Sequence, residues 1–193
     1  GYIYHGKKPV YWCATCETAL AEAEVEYEDR QDVSIYVTFP VIQQPIKHVN
    51  LLAQPAAVVA WTTTPWTLPA NVALAFHPNA EYAVLDGLPH LVVAAELAER
   101  LRPLLNRTEA KLLGTIAGAE LEGMRCQAPF GGRESVAVTD ASVSLTEGTG
   151  VVHIAPGHGQ EDYLIGQREK LEVLSPVDHQ GKFTKDAAQF AGQ

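Results

Sequence analysis

Short apolar or alternating runs, each closed within a few residues by Gly, Pro, Asp or Asn, recur along the chain and constrain its fold more than any other feature. Residues 34–41 (SIYVTFPV) alternate, with Ile35, Val37 and Phe39 on one face. Residues 56–63 and 72–76 read as strands on either side of a turn at 68–71. Residues 81–85 and 90–94 flank Asp86-Gly87-Leu88-Pro89, a hairpin signal with Gly where positive φ is available. Residues 10–12, 111–116, 124–128, 135–139, 150–155, 172–177 and 182–184 are further short strands, and 25–27 also alternate. Residues 95–101 are expected as a helix with Leu97 and Leu101 on one face, ended by Pro103. A second helix is expected over 160–170. Residues 18–24 are alanine-rich and helical by propensity, and 43–54 read as loop. Roughly eight to ten short strands against two or three short helices indicate an α+β, mainly β architecture: a closed β-barrel, or a sandwich, with helices packed outside.

Composition narrows the class. At 193 residues, 47% hydrophobic, the chain suits one globular domain with a sizeable core. No apolar run approaches the ~20 residues of a membrane span. Three cysteines argue against a disulfide framework and for a reducing compartment. A formal net charge of −9 disfavours a broad nucleic-acid-binding surface, yet leaves room for a pocket that takes only the end of a nucleic acid. The first residue is Gly rather than Met, which leads us to expect an excised piece of a longer chain.

Two stretches carry candidate chemistry. In residues 58–71 (VVAWTTTPWTLPAN) a strand ends in Thr62, Thr63 and Thr64, followed by Pro65 and Trp66. Strand propensity accounts for one or two of these threonines, hardly for three. With no base adjacent, they suit hydrogen bonding to a ribose, a carbonyl or a water better than nucleophilic attack. In a regular strand Trp61 and Thr63 share one face, and Thr62 and Thr64 the other. A break before Pro65, or one threonine given to the core, is therefore expected, with Thr62 and Thr63 the closer pair.

In residues 147–163 (EGTGVVHIAPGHGQEDY) a glycine-flanked strand carries His153, and the next helix begins with Glu161 and Asp162. A carboxylate there is favoured by the helix dipole alone; it would also hold an ammonium ion. His153 is open to three readings: general base, steric wall or satisfied core residue. The spacing of His153, His158 and Asp162 matches no strong zinc pattern. Cys13 and Cys16 have the spacing of half a zinc knuckle, but a tetrahedral site needs two more ligands.

WTTTPWTLPAN together with GTGVVHIAPGHGQEDY resembles the editing (CP1) domain inserted in bacterial isoleucyl-tRNA synthetase. VYWCATCETALAEAEVEY resembles the segment leading into that insertion, and PVDHQGKF a motif further along it. The related valyl and leucyl enzymes carry TTRP and then an acidic residue. Thr64 stands here in place of the Arg and Trp66 in place of the acid, which favours the isoleucyl type.

The resemblance implies the valyl/leucyl/isoleucyl editing-domain fold, with 1–24 as a lead-in and 25–193 as the editing barrel. It implies hydrolysis of mischarged Val-tRNA(Ile), and of valyl-adenylate in some settings, by direct water attack on the ester with no cofactor. A hydrophobic pocket separates valine from isoleucine by only roughly 1–3 kcal/mol. The isoleucyl enzyme is itself the standard example of that figure, so it is no inference from this sequence. By position, Asp162 matches the aspartate that binds the α-ammonium group. Thr62, Thr63 and Thr64 match the threonines around the ester and the terminal adenosine. Asn71 matches the asparagine closing the motif, His153 the wall that excludes isoleucine, and Trp66 a shaper of that wall. The expected partners are the tRNA(Ile) 3′ end carrying valine and the rest of the parent synthetase; a cytoplasmic monomer without membrane attachment is expected. HIGH- and KMSKS-type signatures are absent, so the chain is not expected to activate isoleucine. Two alternatives are a module that only binds the aminoacyl end of tRNA, and a metal-dependent hydrolase using His153, His158 and Asp162. Zinc at Cys13 and Cys16 would need ligands from outside the chain.

Overall fold

A computed structural model of the chain describes residues 3, 6–29, 31–44, 51–52 and 55–193. Strands β1 (Trp12–Cys13) and β2 (Thr18–Ala19) form a small antiparallel ribbon. The remaining strands are β3 (Ile35–Gln43), β4 (Ala56–Thr62), β5 (Ala73–Phe76), β6 (Glu81–Leu85), β7 (His90–Ala94), β8 (Leu112–Ala117), β9 (Arg125–Gln127), β10 (Glu134–Thr139) and β11 (Val151–Ile154). They form one nine-stranded sheet in the order β11-β5-β10-β9-β3-β4-β7-β6-β8. The pairs β4–β7 and β5–β10 are parallel and the others antiparallel. The α-helices are α1 (Ala98–Leu104) and α2 (Gln160–Arg168).

The mainly β expectation holds, but the expected closed barrel does not form. The outer strands β11 and β8 are not paired with each other among the described residues. The reason lies in β3 and in the lead-in to β11. Ile35 to Pro40 pair with β4, whereas Val41 and Gln43 pair with β9, with a register slip between them. A bulge of this kind bends a strand, and β3 thereby passes from one half of the sheet to the other. The halves fold over a shared core instead of joining edge to edge. Before β11, Gly148 and Gly150 take φ of +61° and +72°. These conformations carry the chain out of ladder geometry. It makes single bonds to the other half instead: Ala94 N–H to Thr149 O at 2.9 Å, and Tyr82 Oη–H to Gly150 O at 2.7 Å.

The main core gathers Phe39, Val58, Leu74, Phe76, Tyr82, Leu101, Ile116 and Met124, all buried. Each large side chain so buried contributes about 1.5–3 kcal/mol. Strand β5 is buried on both faces. Leu74 and Phe76 enter the main core, while Ala73 and Ala75 lie under α2 beside Ile154 and Ile165. The small alanines let α2 sit close to the sheet, and this closeness sets where the start of α2 lies.

Other local expectations shift. The helix expected over 18–24 is absent: Thr18–Ala19 is strand, followed by a 3-10 turn at Glu22–Glu24. Pairing with β1 overrides the alanine propensity. The segment 95–97 is 3-10, and α1 runs one residue past Pro103. No strand forms at 25–27, and 172–184 yields only the bridge Val177–Phe183 around its turn. The loop expected over 43–54 falls mostly outside the described residues. Trp12 Nε1–H donates to His179 O at 2.8 Å, so the ribbon packs on the 178–181 turn.

Candidate active site

A cleft of about 460 Å³ opens where the end of β4, the lead-in to β11, β11 itself and the start of α2 meet. Strand β4 stops at Thr62, and Thr64, at φ −124° and ψ 65°, starts a 3-10 turn over Pro65–Ala70. The strand therefore breaks before Pro65, as its restriction on the preceding residue requires. With the break, Thr62, Thr63 and Thr64 all line the cleft. The hydroxyls that approach each other are those of Thr62 and Thr64, at 3.4 Å, rather than Thr62 and Thr63. Thr62 Oγ1 also accepts the Thr64 N–H at 3.1 Å, which turns the chain end inward.

The opposite wall is the glycine-bearing turn before β11. A Cβ on Gly148 would lie 3.2 Å from the Trp61 ring, and one on Gly150 only 2.3 Å from the Ala94 Cβ. Glycine at both positions lets this wall close on the sheet. Arg100 of α1 donates to Thr146 O at 3.2 Å and to Gly148 O at 3.5 Å, securing the turn from behind.

His153 is buried and lines the cleft. Its Nε2 lies 2.7 Å from Thr67 Oγ1, and its Nδ1 accepts from Asn71 Nδ2 at 3.1 Å. Asn71 Nδ2 spends its other hydrogen on Ala73 O at 2.9 Å, and Thr67 Oγ1 donates to Thr64 O at 2.9 Å. The network assigns the proton to Nε2, because Nδ1 faces an amide donor and the Thr67 hydroxyl is already donating. Burial, and next the neighbouring His158, hold the imidazole down at about 4, so it is neutral at physiological pH. Asn71 does not line the cleft; it stands behind His153 and orients it. Its Oδ1 is buried with no hydrogen-bond partner among the described residues.

Asp162 sits in the first turn of α2 and lines the cleft. Its Oδ2 accepts the Ala155 N–H at 2.8 Å. A Cβ on Gly159 would meet the Asp162 carboxyl carbon at 2.9 Å, so that glycine leaves the side chain room to fold over the helix start. Burial pushes the Asp162 carboxyl up, partly offset by the Ala155 hydrogen bond. A carboxylate has about four lone-pair sites, so this bond leaves capacity for a cation. Trp66, 52% exposed, packs edge-on against His158 at 4.9 Å and forms the rim. Thr67, Trp61 and Arg100 are contributors that sequence reasoning passed over; the signal for Thr67 was its place in the Pro-Trp-Thr-Leu-Pro turn.

Cys13 and Cys16 lie away from the cleft. Cys16 N–H donates to Cys13 Sγ at 3.3 Å, and this backbone contact holds the Cys13 thiol below its usual range. A structural zinc site takes four ligands, and these two thiols would be half of such a set. No group of three or more His, Cys, Asp or Glu suited to a metal occurs among the described residues. Among the described residues, the two thiols therefore lack the further ligands that a zinc site needs.

The comparisons with known proteins define the class. Residues 1–172 match the family model of tRNA synthetases class I (I, L, M and V), and the chain belongs to that family. Within it, the chain is 53% identical over 196 residues to an isoleucine–tRNA ligase of Desulforamulus reducens. It is 51% identical over 195 residues to one of Moorella thermoacetica. Each alignment spans all of this chain and 20% of the relative, so the chain spans about a fifth of their length. Among solved structures, the Plasmodium knowlesi (P. knowlesi) cytosolic leucyl-tRNA synthetase editing domain superposes with a TM-score of 0.60 at 13% identity, covering 71% of this chain and 62% of that one. GlLeuRS-CP1 superposes with a TM-score of 0.56 at 16% identity, covering 72% and 65%. The fold is that of these editing domains.

Proposed function

We propose that this chain is the editing domain of an isoleucyl-tRNA synthetase and hydrolyses the ester of mischarged Val-tRNA(Ile). The observation that carries this reading is the placement of the Asp162 carboxylate and three threonine hydroxyls around one cleft. Asp162 binds the α-ammonium group of valine through a charge-assisted contact. Thr62, Thr63 and Thr64 hold the ester and the ribose of the terminal adenosine. The neutral His153 ring, fixed by Thr67 and Asn71, is a rigid wall against the amino-acid side chain.

Both ring nitrogens of His153 are engaged within the protein, which leaves neither for proton abstraction or metal ligation. Water therefore attacks the ester carbonyl directly, oriented by threonine hydroxyls and the neighbouring ribose hydroxyl. The carbonyl carbon gains the water oxygen, the bond to the ribose oxygen breaks, and that oxygen takes a proton. Hydrogen-bond donors lining the cleft stabilise the charge that develops on the carbonyl oxygen. The tRNA(Ile) acceptor end and the remainder of the synthetase are the partners, in the cytoplasm, with the domain monomeric. Among the described residues, no helix is long and apolar enough to cross a membrane.

A structure with a non-hydrolysable valyl-adenosine analogue tests this reading. The α-ammonium group is expected on Asp162 and the valine methyls against His153. An analogue seated elsewhere, or reversed in the cleft, overturns it.

A further inference from the structure

Ester hydrolysis in the cleft needs a group that takes a proton from the attacking water and passes one to the departing ribose oxygen. His153 does not serve, because both its ring nitrogens are engaged within the protein. Asp162 is committed to the ammonium group and to the Ala155 N–H. Threonine hydroxyls are too weak as bases for the task. His158 also lines the cleft, in a different environment. Its half-buried ring packs edge-on against Trp66, with centroids 4.9 Å apart and planes at 78°. Among the described residues, no hydrogen bond within the chain engages either ring nitrogen of His158, which leaves its lone pair available. One residue sets the position of both His158 and Asp162. The Ala155 N–H donates to Asp162 Oδ2 at 2.8 Å, and Ala155 O accepts the His158 N–H at 2.9 Å. The turn over 155–159 thus places the imidazole and the carboxylate on the same cleft. Burial holds His158 below the ordinary histidine value of 6.5, so the ring is neutral at physiological pH.

We propose that His158 is the catalytic base of the cleft and, in the second half of the reaction, its acid. The inference rests on the proposed function, since it takes the cleft as the seat of the aminoacyl ester. As the water oxygen bonds to the carbonyl carbon, one water proton passes to the free ring nitrogen of His158. The imidazolium then gives that proton to the ribose oxygen as the carbon–oxygen bond breaks. His158 ends neutral, one water is consumed, and the products are the free amino acid and a ribose hydroxyl. The edge contact with Trp66 holds the ring at the rim in the orientation this relay needs. Glu147, His153 and Asp162 also titrate in the cleft. Lys7, Lys8, Asp178 and His179 line the hollow on the far side of the Trp66–His158 pair. These groups are common to wild type and a His158 variant, so the difference between the two pH profiles reports His158.

The test is single-turnover deacylation of Val-tRNA(Ile) by the chain over roughly pH 5–8, alongside binding of a non-hydrolysable valyl-adenosine analogue. His158→Gln is expected to deacylate about a hundred-fold slower or more and to bind the analogue as wild type does. The wild-type rate is expected to fall as acid protonates His158, on the low side of 6.5, and this limb is expected to vanish in His158→Gln. Added imidazole is expected to restore part of the rate to His158→Ala, in proportion to its free-base form. A purely structural role would give neither the lost limb nor the rescue. His158→Gln as fast as wild type overturns the inference and leaves the reading of the cleft in place. A loss of rate matched by an equal loss of analogue affinity, with no rescue by imidazole, overturns it as well and makes His158 part of the binding wall. A wild-type chain that hydrolyses no valyl ester overturns both the inference and the proposed function.

Discussion

Thr67 Oγ1 lies 2.7 Å from His153 Nε2, and this contact spends the one ring proton of the cleft's central histidine inside the protein. Asn71 closes the other nitrogen at 3.1 Å. The imidazole is therefore a shaped, neutral wall. Nitrogen NMR of labelled histidine is expected to show the Nε2–H tautomer and no protonation of His153 until pH approaches about 4. Titration near the ordinary histidine value of 6.5 would contradict the buried, neutral ring. His153→Ala removes the wall and is expected to let isoleucyl esters be hydrolysed alongside valyl esters. Continued exclusion of isoleucine would refute the wall role.

The same depressed value makes stability depend on acid. Unfolded, His153 takes a proton near pH 6.5; folded, it resists until about 4. Its contribution is fully present above the unfolded value and declines as pH falls from there through the folded value. The loss amounts to at most about 3 kcal/mol. Denaturant titrations at pH 7 and pH 4.5 are expected to show this loss in the wild-type chain and a smaller one in His153→Gln. Equal losses in both would place the acid sensitivity elsewhere.

Asp162 runs the opposite way. Burial raises its folded value, so the stability it contributes is present at low pH and is lost as pH rises through that raised value. Its ionised form is therefore held against a stability cost. Asp162→Asn keeps an oxygen for the Ala155 N–H and removes the charge. It is expected to melt at a higher temperature at pH 7 while losing affinity for amino-acid esters. A variant that melts no higher and still binds valyl-adenosine analogues would remove the ammonium role.

Tyr82 joins the two halves of the open sheet. Its hydroxyl accepts the His77 N–H at 2.7 Å and donates to Gly150 O at 2.7 Å. The ring is fully buried, and burial pushes the phenol up to about 12. Tyr82→Phe leaves a backbone N–H and a carbonyl unpaired and is expected to cost about 1–3 kcal/mol by denaturant unfolding. Because Gly150 is a cleft residue, the variant is also expected to weaken binding of valyl-adenosine analogues. A change below a few tenths of a kcal/mol would mean that water replaces the hydroxyl.

Strand placement was legible wherever period-two alternation or a turn signal was strong, as in β3, the β6–β7 hairpin and β11. Openness of the sheet was not, because it depends on a bulge between Val41 and Gln43 and on positive φ at Gly148 and Gly150. A list of strands carries no record of how its ends meet. In the cleft, Thr62 stood out because three threonines end one strand, whereas position alone left Asp162 a helix-start carboxylate and His153 open to a core reading, and the roles expected for both came from the resemblance. The role of Asn71 behind His153 was not legible, since it acts across 82 residues of sequence through a single hydrogen bond. Thr18–Glu24 misled because alanine propensity is weak beside even a two-residue ribbon pairing.

The central claim is tested most directly by the rates at which the chain deacylates Val-tRNA(Ile) and Ile-tRNA(Ile), each measured against spontaneous hydrolysis. The account predicts valine release well above the spontaneous rate, little acceleration of isoleucine release, and loss of the valine activity in Asp162→Ala. Valine release no faster than in buffer, or undiminished in Asp162→Ala, would contradict it.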